Sequence, residues 1–212
     1  MKAVIVSSGS ISNYDYPKKY LVGTDILIGV DGGAKHLRKM NVMPDILIGD
    51  FDSAAGEDLE YFMNAGVMAI QYPPEKDMTD TELAIDYAID KGCTSIVLLG
   101  CLGTRIDHSL ANVFLLKKML YNNVNGLIAN EQNEVMLIKD KIILKSEENS
   151  YITLLALSDK VEGVSTKGLL YPLDNADLEL GSSWGVSNEF IEDIAEISIK
   201  KGLLLVIKSI EM

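Results

Sequence analysis

The chain is poor in the residues that build metal clusters, disulfide frameworks and membrane anchors. Its two cysteines, Cys93 and Cys101, are too few for a disulfide framework, and their spacing matches no zinc site. The two histidines, His36 and His108, exclude a histidine-rich metal cluster, and each reads as a residue on a helix face. Long hydrophobic runs are missing too. No segment approaches the ~18 apolar residues of a membrane span, and the apolar run at residues 1–6 is shorter than a signal-peptide core. A protein of the reducing cytoplasm with no membrane partner is therefore expected. Basic charge is scarce: 19 Lys+Arg against 31 Asp+Glu leave a formal net charge of −12. That argues against nucleic acid, whose partners draw most of their binding energy from a basic face. An acidic protein still binds polyphosphate when a divalent cation comes with it.

What is present is an ordinary globular balance over 212 residues, 48% hydrophobic and 24% charged, with no internal repeat, low-complexity stretch or charge block. Short runs rich in Val and Ile at 3–6, 26–30, 46–48, 67–71, 95–99 and 126–129 read as strands covered on both faces. Helical patterns at 34–40, 56–64, 81–91 and 109–121 lie between them. This alternation predicts an α/β domain over 1–132: a doubly wound, mostly parallel sheet with helices on both faces. From about residue 135 the rhythm changes to strands alone, at 135–138, 141–145, 151–156, 161–165, 195–200 and 203–210, separated by polar turns. A smaller antiparallel β-sandwich is expected over 133–212.

In a doubly wound sheet, ligands sit at the carboxyl ends of the strands, so the residues following each strand are the candidates. The second strand exits into Asp31-Gly32-Gly33-Ala34, a carboxylate followed by glycines that open a helix. The third exits into Asp50-Phe51-Asp52, where extended backbone points both carboxylates to one side. Two such charges at ~4 Å repel by roughly 4 kcal/mol at an effective dielectric of ~20, which a divalent cation offsets. A pair of caps for the next helix or turn is the plainer reading of that motif alone. The fourth strand runs into Lys76-Asp77-Met78-Thr79-Asp80-Thr81-Glu82, where Thr79 and Glu82 have capping-box spacing. Asp77 and Asp80, three apart, share one side of that helix entrance. The fifth strand ends in Gly100-Cys101-Leu102-Gly103-Thr104-Arg105-Ile106-Asp107-His108. Its glycines admit a close ligand, Arg105 suits a phosphate, and Asp107 is either an N-cap or a further acid.

Acids recurring at successive strand ends outline a cage for one or two Mg²⁺ ions and a polyphosphate, formed by Asp31, Asp50, Asp52, Asp77 and Asp80 with Lys76 and Arg105. Hard oxygen donors favour Mg²⁺ over zinc. Neither a P-loop nor G-x-G-x-x-G is present. In the C-terminal part, Trp184, the only tryptophan, sits in a loop flanked by glycine and serine. It reads as a stacking surface for a flat, cationic ring or as a plug at an interface.

With these residues assembled, the chain resembles the thiamine pyrophosphokinase (thiamine diphosphokinase) family of bacterial type. The resemblance rests on Asp31-Gly32-Gly33-Ala34, Pro44-Asp45 leading into Gly49-Asp50-Phe51-Asp52-Ser53, Lys76-Asp77-Met78-Thr79-Asp80, Gly103-Thr104-Arg105-Ile106-Asp107-His108 with Asn112, and Ser187-Asn188-Glu189-Phe190. It implies transfer of a pyrophosphoryl group from ATP to the hydroxyethyl oxygen of thiamine, giving thiamine diphosphate and AMP, by a homodimer that binds thiamine where one subunit meets the other. It also implies Mg²⁺ on Asp50 and Asp52, with Asp31, Asp77 and Asp80 as further acids near metal and phosphates. Lys76, Thr79, Arg105, Asp107 and His108 fall on the nucleotide side, and Trp184, Ser187 and Asn188 on the thiamine side. Thr104 stands where the family more often has a further glycine. Two other readings are a Mg²⁺-dependent nucleotide-sugar transferase or phosphatase using Asp50 and Asp52, and a non-catalytic ligand-binding protein.

Overall fold

A computed structural model describes residues 1–51 and 56–211. The chain divides into two compact units, Met1–Glu131 and Gln132–Met212. Among the described residues no helix is long and apolar enough to cross a membrane.

The first unit alternates β1 (Lys2–Val6), α1 (Lys18–Leu21), β2 (Ile26–Val30), α2 (Gly33–Met40), β3 (Ile46–Gly49), α3 (Gly56–Asn64), β4 (Met68–Gln71), α4 (Asp80–Asp90), β5 (Ser95–Leu99), α5 (Ile106–Tyr121) and β6 (Asn125–Ala129). The strands lie in the order β6-β5-β1-β2-β3-β4, and every neighbouring pair is parallel. Alternate side chains of each strand point to opposite faces. Val4, Val6, Leu27, Leu47, Val97 and Leu99 pack on one face with Tyr20 of α1, Leu37 and Met40 of α2 and Phe62 of α3. The intervening residues Ile5, Ile28, Ile48, Ile96 and Leu98 are also fully buried, and α4 lies on β1, β2 and β3. Leu116 and Met119 of α5 reach Gly126 of β6. Burying each such aliphatic side chain stabilises the fold by ~1.5–3 kcal/mol.

The predicted layering is present, with helices on both faces. A right-handed crossover rule explains the division: the chain winds outward from β1 to β4 with α1–α3 on one side. It then returns to β5 and reverses direction, which places α4 and α5 on the other. The short α1 was not expected, because Lys18-Lys19-Tyr20-Leu21 is too short to display a period.

The second unit comprises β7 (Asn133–Ile138), β8 (Lys141–Lys145), β9 (Ser150–Ala156), β10 (Lys160–Lys167), β11 (Ala176–Glu179), β12 (Asn188–Glu189), β13 (Ile194–Ser198) and β14 (Leu204–Ile210). Antiparallel pairing gives one layer in the order β12-β9-β14-β7 and a second in the order β11-β10-β13-β8. Residues of β9 alternate between buried and half-buried along the strand, as a sheet with one face inward demands. Ile152, Leu154 and Val206 from one layer meet Val161, Val164 and Ile197 from the other. The strands β11 and β12 were missed; Ala176-Asp177-Leu178-Glu179 and two residues at Asn188 carry too few apolar side chains to register.

Candidate functional site

In the first unit the chain leaves β1 toward β2 on one side and returns to β5 on the other. The crevice beyond the carboxyl ends of β1 and β5 is therefore the topological switch point, where such sheets bind ligands. A cavity of about 400 Å³ lies there, lined by Ser7-Ser8-Gly9-Ser10 after β1, by Gly100 to Arg105 after β5, and by Thr79, Thr81, His108, Ser109 and Asn112. Two helices begin at its wall. In α4 the Thr79 hydroxyl accepts the Glu82 backbone N–H at 3.2 Å, the expected cap. Glu82 does not complete a capping box but pairs with Lys118 of α5 at 2.9 Å. In α5 the N-cap position is held by Arg105, so Asp107 lies in the first turn and is not the cap. Unpaired N–H groups and partial positive charge at two helix starts make this end of the unit favourable to anions.

Arg105 and Asp107 are exposed and paired at 2.6 Å. Asp107 holds the guanidinium's pKa above its usual value, and Arg105 holds the carboxyl's below. Behind them, the buried Asn112 donates to the Cys101 carbonyl at 2.7 Å, fixing the loop from inside. The Cys101 thiol lines the cavity, but burial pushes its pKa up to about 12, so it is not a nucleophile.

The acids sit at the ends of the neighbouring strands. Asp31 follows β2 with a left-handed backbone, φ 46°, which only a small share of non-glycine residues adopts. Its N–H donates to the Ile48 carbonyl at 3.1 Å, tying it to β3. Gly49 makes room for the side chain, since a Cβ there would fall 1.8 Å from Asp31 Oδ1. Burial raises the Asp31 carboxyl to about 7, and the charges of Asp80 and Asp50 push in the same direction. Oδ1 of Asp31 is, among the described residues, a buried oxygen without a hydrogen-bond partner. Asp80 is paired with Lys76 at 2.6 Å, both nearly buried, and the Asp50 carbonyl accepts from Gln71 at 3.0 Å. Asp77 is exposed on the same loop. Asp52, the second half of the acidic pair, lies outside the described residues.

The charges of Asp50 and Asp80 thus act on Asp31, although among the described residues no group of three or more acidic, histidine or cysteine side chains is placed to hold a metal ion by itself. That arrangement fits Mg²⁺, which is usually held by one or two carboxylates plus substrate phosphates and water, not by an all-protein cage.

In the second unit a cavity of about 270 Å³ is lined by Leu154, Tyr171, Pro172, Leu173, Trp184, Gly185, Val186 and Asn188. Trp184 is 62% exposed, so it is not part of this unit's core. Ser187 has a left-handed backbone, φ 57°, and donates its N–H to Thr153 at 3.1 Å. Asn188 is buried, and its amide is spent on Tyr171: Oδ1 accepts the Tyr171 N–H at 3.0 Å and Nδ2 donates to the Tyr171 carbonyl at 2.7 Å. It shapes the pocket wall instead of offering a free group to a ligand.

The exit of β1 belongs to the same set of strand ends. Ser7-Ser8-Gly9-Ser10 provides one wall of the main cavity, and the Ser7 hydroxyl meets that of Thr81 at 3.0 Å in a buried contact. The signal was available, because a strand running into Ser-Ser-Gly-Ser is the same kind of exit as those of β2 and β5. His36 lies on α2, as a helix-face residue, and bonds Tyr14 and the Gly9 carbonyl.

Comparison with known proteins places both units in one family. The family model "Thiamin pyrophosphokinase, catalytic domain" matches residues 17–128, and "Thiamin pyrophosphokinase, vitamin B1 binding domain" matches residues 140–204. A thiamine pyrophosphokinase of Bacillus subtilis is 34% identical over 184 residues, 86% of this chain and 86% of that protein. A crystal structure of thiamine pyrophosphokinase from Bacillus subtilis superposes with a TM-score of 0.92 at 30% identity, covering 100% of both chains. One of thiamin pyrophosphokinase from Geobacillus thermodenitrificans gives 0.86 at 30% identity, covering 100% of this chain and 98% of that one.

Proposed function

The chain belongs to the thiamine pyrophosphokinase family and is an enzyme that pyrophosphorylates thiamine; from that premise we propose that ATP is the donor, Mg²⁺ the metal, and AMP and thiamine diphosphate the products. The observation that carries the reading is the orphaned Oδ1 of Asp31, buried beside Asp80 and Asp50 at the same sheet edge as the cavity of about 400 Å³. Asp31, Asp50 and Asp80 would hold the metal, with Asp52 and Asp77 as further ligands. The metal would supply charge neutralisation on the donor's phosphates.

Phosphoryl-type transfer asks a protein for positioning and charge stabilisation more than for covalent chemistry. Arg105 and the starts of α4 and α5 receive phosphate oxygens. Thr79, Asp107 and His108 line or border the nucleotide, and Lys76, now on Asp80, offsets charge between acid and phosphate. The hydroxyethyl oxygen of thiamine attacks the β-phosphorus in line as its proton leaves to Asp77, Asp80 or water. The bond from the β-phosphorus to the bridging oxygen breaks, and that oxygen departs with AMP.

On the thiamine side, Trp184 and Tyr171 offer aromatic faces to a cationic ring, Ser187 borders them, and Asn188 holds the wall. The enzyme works as a homodimer in the cytoplasm, where Cys93 and Cys101 remain thiols. Ile106, Leu110, Phe114 and Tyr121, exposed along one stripe of α5, support association with a second copy. A net charge of −12 favours a cationic substrate and disfavours nucleic acid.

Incubation with ATP, Mg²⁺ and thiamine tests the reading. AMP is expected in step with thiamine diphosphate, and none without Mg²⁺; ADP or free phosphate as the product would replace it with kinase or hydrolase chemistry.

A further inference from the structure

The segment leaving β1 forms one wall of the main cavity, and its shape is set from two sides. The N–H groups of Ser7, Gly9 and Ser10 donate to the carbonyls of Leu99, Gly100 and Leu102 at 2.8, 2.5 and 3.1 Å. Farther along, Glu131 accepts the Ser12 N–H, the Ser12 hydroxyl and the Asn13 N–H at 2.6, 2.9 and 2.8 Å. The Gly9 carbonyl, in the same peptide unit as the bonded Ser10 N–H, is met on its other side by His36, whose Nε2 lies 2.7 Å away. A carbonyl oxygen only accepts, so Nε2 carries the proton. Nδ1 is then the acceptor for the Tyr14 hydroxyl at 2.9 Å.

His36 is 8% exposed and sits one turn into α2, close to where that helix presses on the same segment. A Cβ on Gly33 would lie 1.9 Å from the Val6 carbonyl, so only glycine lets α2 come this near. Burial lowers the imidazole's pKa from its ordinary value; Lys39 and Lys35 on its own helix act in the same direction, and the bond to the Gly9 carbonyl and the charge of Glu131 oppose them. A neutral ring with its proton on Nε2 satisfies both bonds. An aliphatic residue at this inward helical position would fill the same space. What the imidazole adds is directional: one hydrogen bond that fixes the ring and one that fixes the wall.

We infer that His36 is a positioning residue for the nucleoside triphosphate, holding the Gly9 carbonyl, and with it the wall of Ser7 to Ser10, in the shape the cavity needs. The inference rests on assigning ATP to that cavity, and Arg105, which lines it from the segment after β5, separates the two questions.

The experiment is steady-state kinetics on His36→Leu, His36→Gln and Arg105→Ala, with ATP and thiamine varied in turn. Removing one hydrogen bond to the wall in His36→Leu is expected to raise the ATP KM about five- to tenfold, with thiamine KM and kcat within roughly twofold of native. His36→Gln keeps a donor near the Nε2 position and is expected to restore most of the ATP affinity. A raised ATP KM in Arg105→Ala with a native value in His36→Leu overturns the positioning role and leaves the ATP assignment standing. Native values in both overturn the assignment and the inference together. Equal rises in both KM values, or no rescue by glutamine, reduce His36 to packing. Should His36→Leu fail to fold, Tyr14→Phe carries the test, because it removes only the hydroxyl that orients the ring. A rise in ATP KM of about threefold is then expected, and none overturns the inference.

Discussion

Substituting asparagine for Asp31 keeps the side chain's shape and removes its charge, and the structure predicts opposite effects on stability and on turnover. The folded carboxyl is raised from 3.8 to about 7, chiefly by burial and then by Asp80 and Asp50. Between those two values the folded chain holds the proton that the unfolded chain gives up. The stability this group contributes is therefore fully present below pH 3.8 and is lost as pH rises toward 7. At about 1.4 kcal/mol per pH unit, ionising the carboxyl in place costs at most roughly 4 kcal/mol. The group is only partly buried, and solvent screening reduces this to about 2 kcal/mol, or a Tm change of about 4–8 °C for a chain of this length. In EDTA at pH 8, Asp31→Asn is expected to melt about 4–8 °C above the native protein, with the difference shrinking to ~1–2 °C near pH 4.5. Addition of Mg²⁺ and ATP should raise the Tm of the native protein but not of the variant, and the variant should form no thiamine diphosphate. Identical melting at pH 8 without metal would refute the claim that these acids strain one another. Full activity would remove Asp31 from the site.

Two further outcomes concern the second unit. Trp184 is 62% exposed, so Trp184→Ala should change stability by less than ~0.5 kcal/mol while raising the thiamine KM on the order of tenfold; an unchanged thiamine KM returns the residue to a surface role. Asn188→Ala leaves the Tyr171 N–H and carbonyl without their present partner and should cost about 2 kcal/mol in urea unfolding. A loss below ~0.5 kcal/mol would mean that water replaces the amide without penalty.

Much of the fold was legible because strands buried on both faces must be continuously apolar, and Ala3-Val4-Ile5-Val6 or Ile96-Val97-Leu98-Leu99 leave little room for another reading. The start of α4 was legible for a local reason, since Thr79 caps it through a bond to a residue three positions away. Asp31, Asp80 and Arg105 stood out because each follows a strand or opens a helix. Ser7 to Ser10 escaped notice although the same rule applied, because serine and glycine carry no charge to draw attention. The partners of His36 and Asn188 were not legible for a different reason. A histidine in a helix or an asparagine in a loop has the same local pattern whether its partner is water, a ligand or a distant carbonyl.

The order of elements, the two-part division of strand types and the supply of acids at strand exits are written in residues close together along the chain. They are governed by short-range periodicity and capping, so the sequence alone determined them. Which acids crowd together, which glycines stand against a neighbour and which side chains serve another segment depend on contacts across tens of residues. Gly49 matters because Asp31 lies beside it, and His36 because Gly9 does. Those proximities arise only when the sheet assembles β1, β2, β3 and β5 side by side, and no local propensity encodes them.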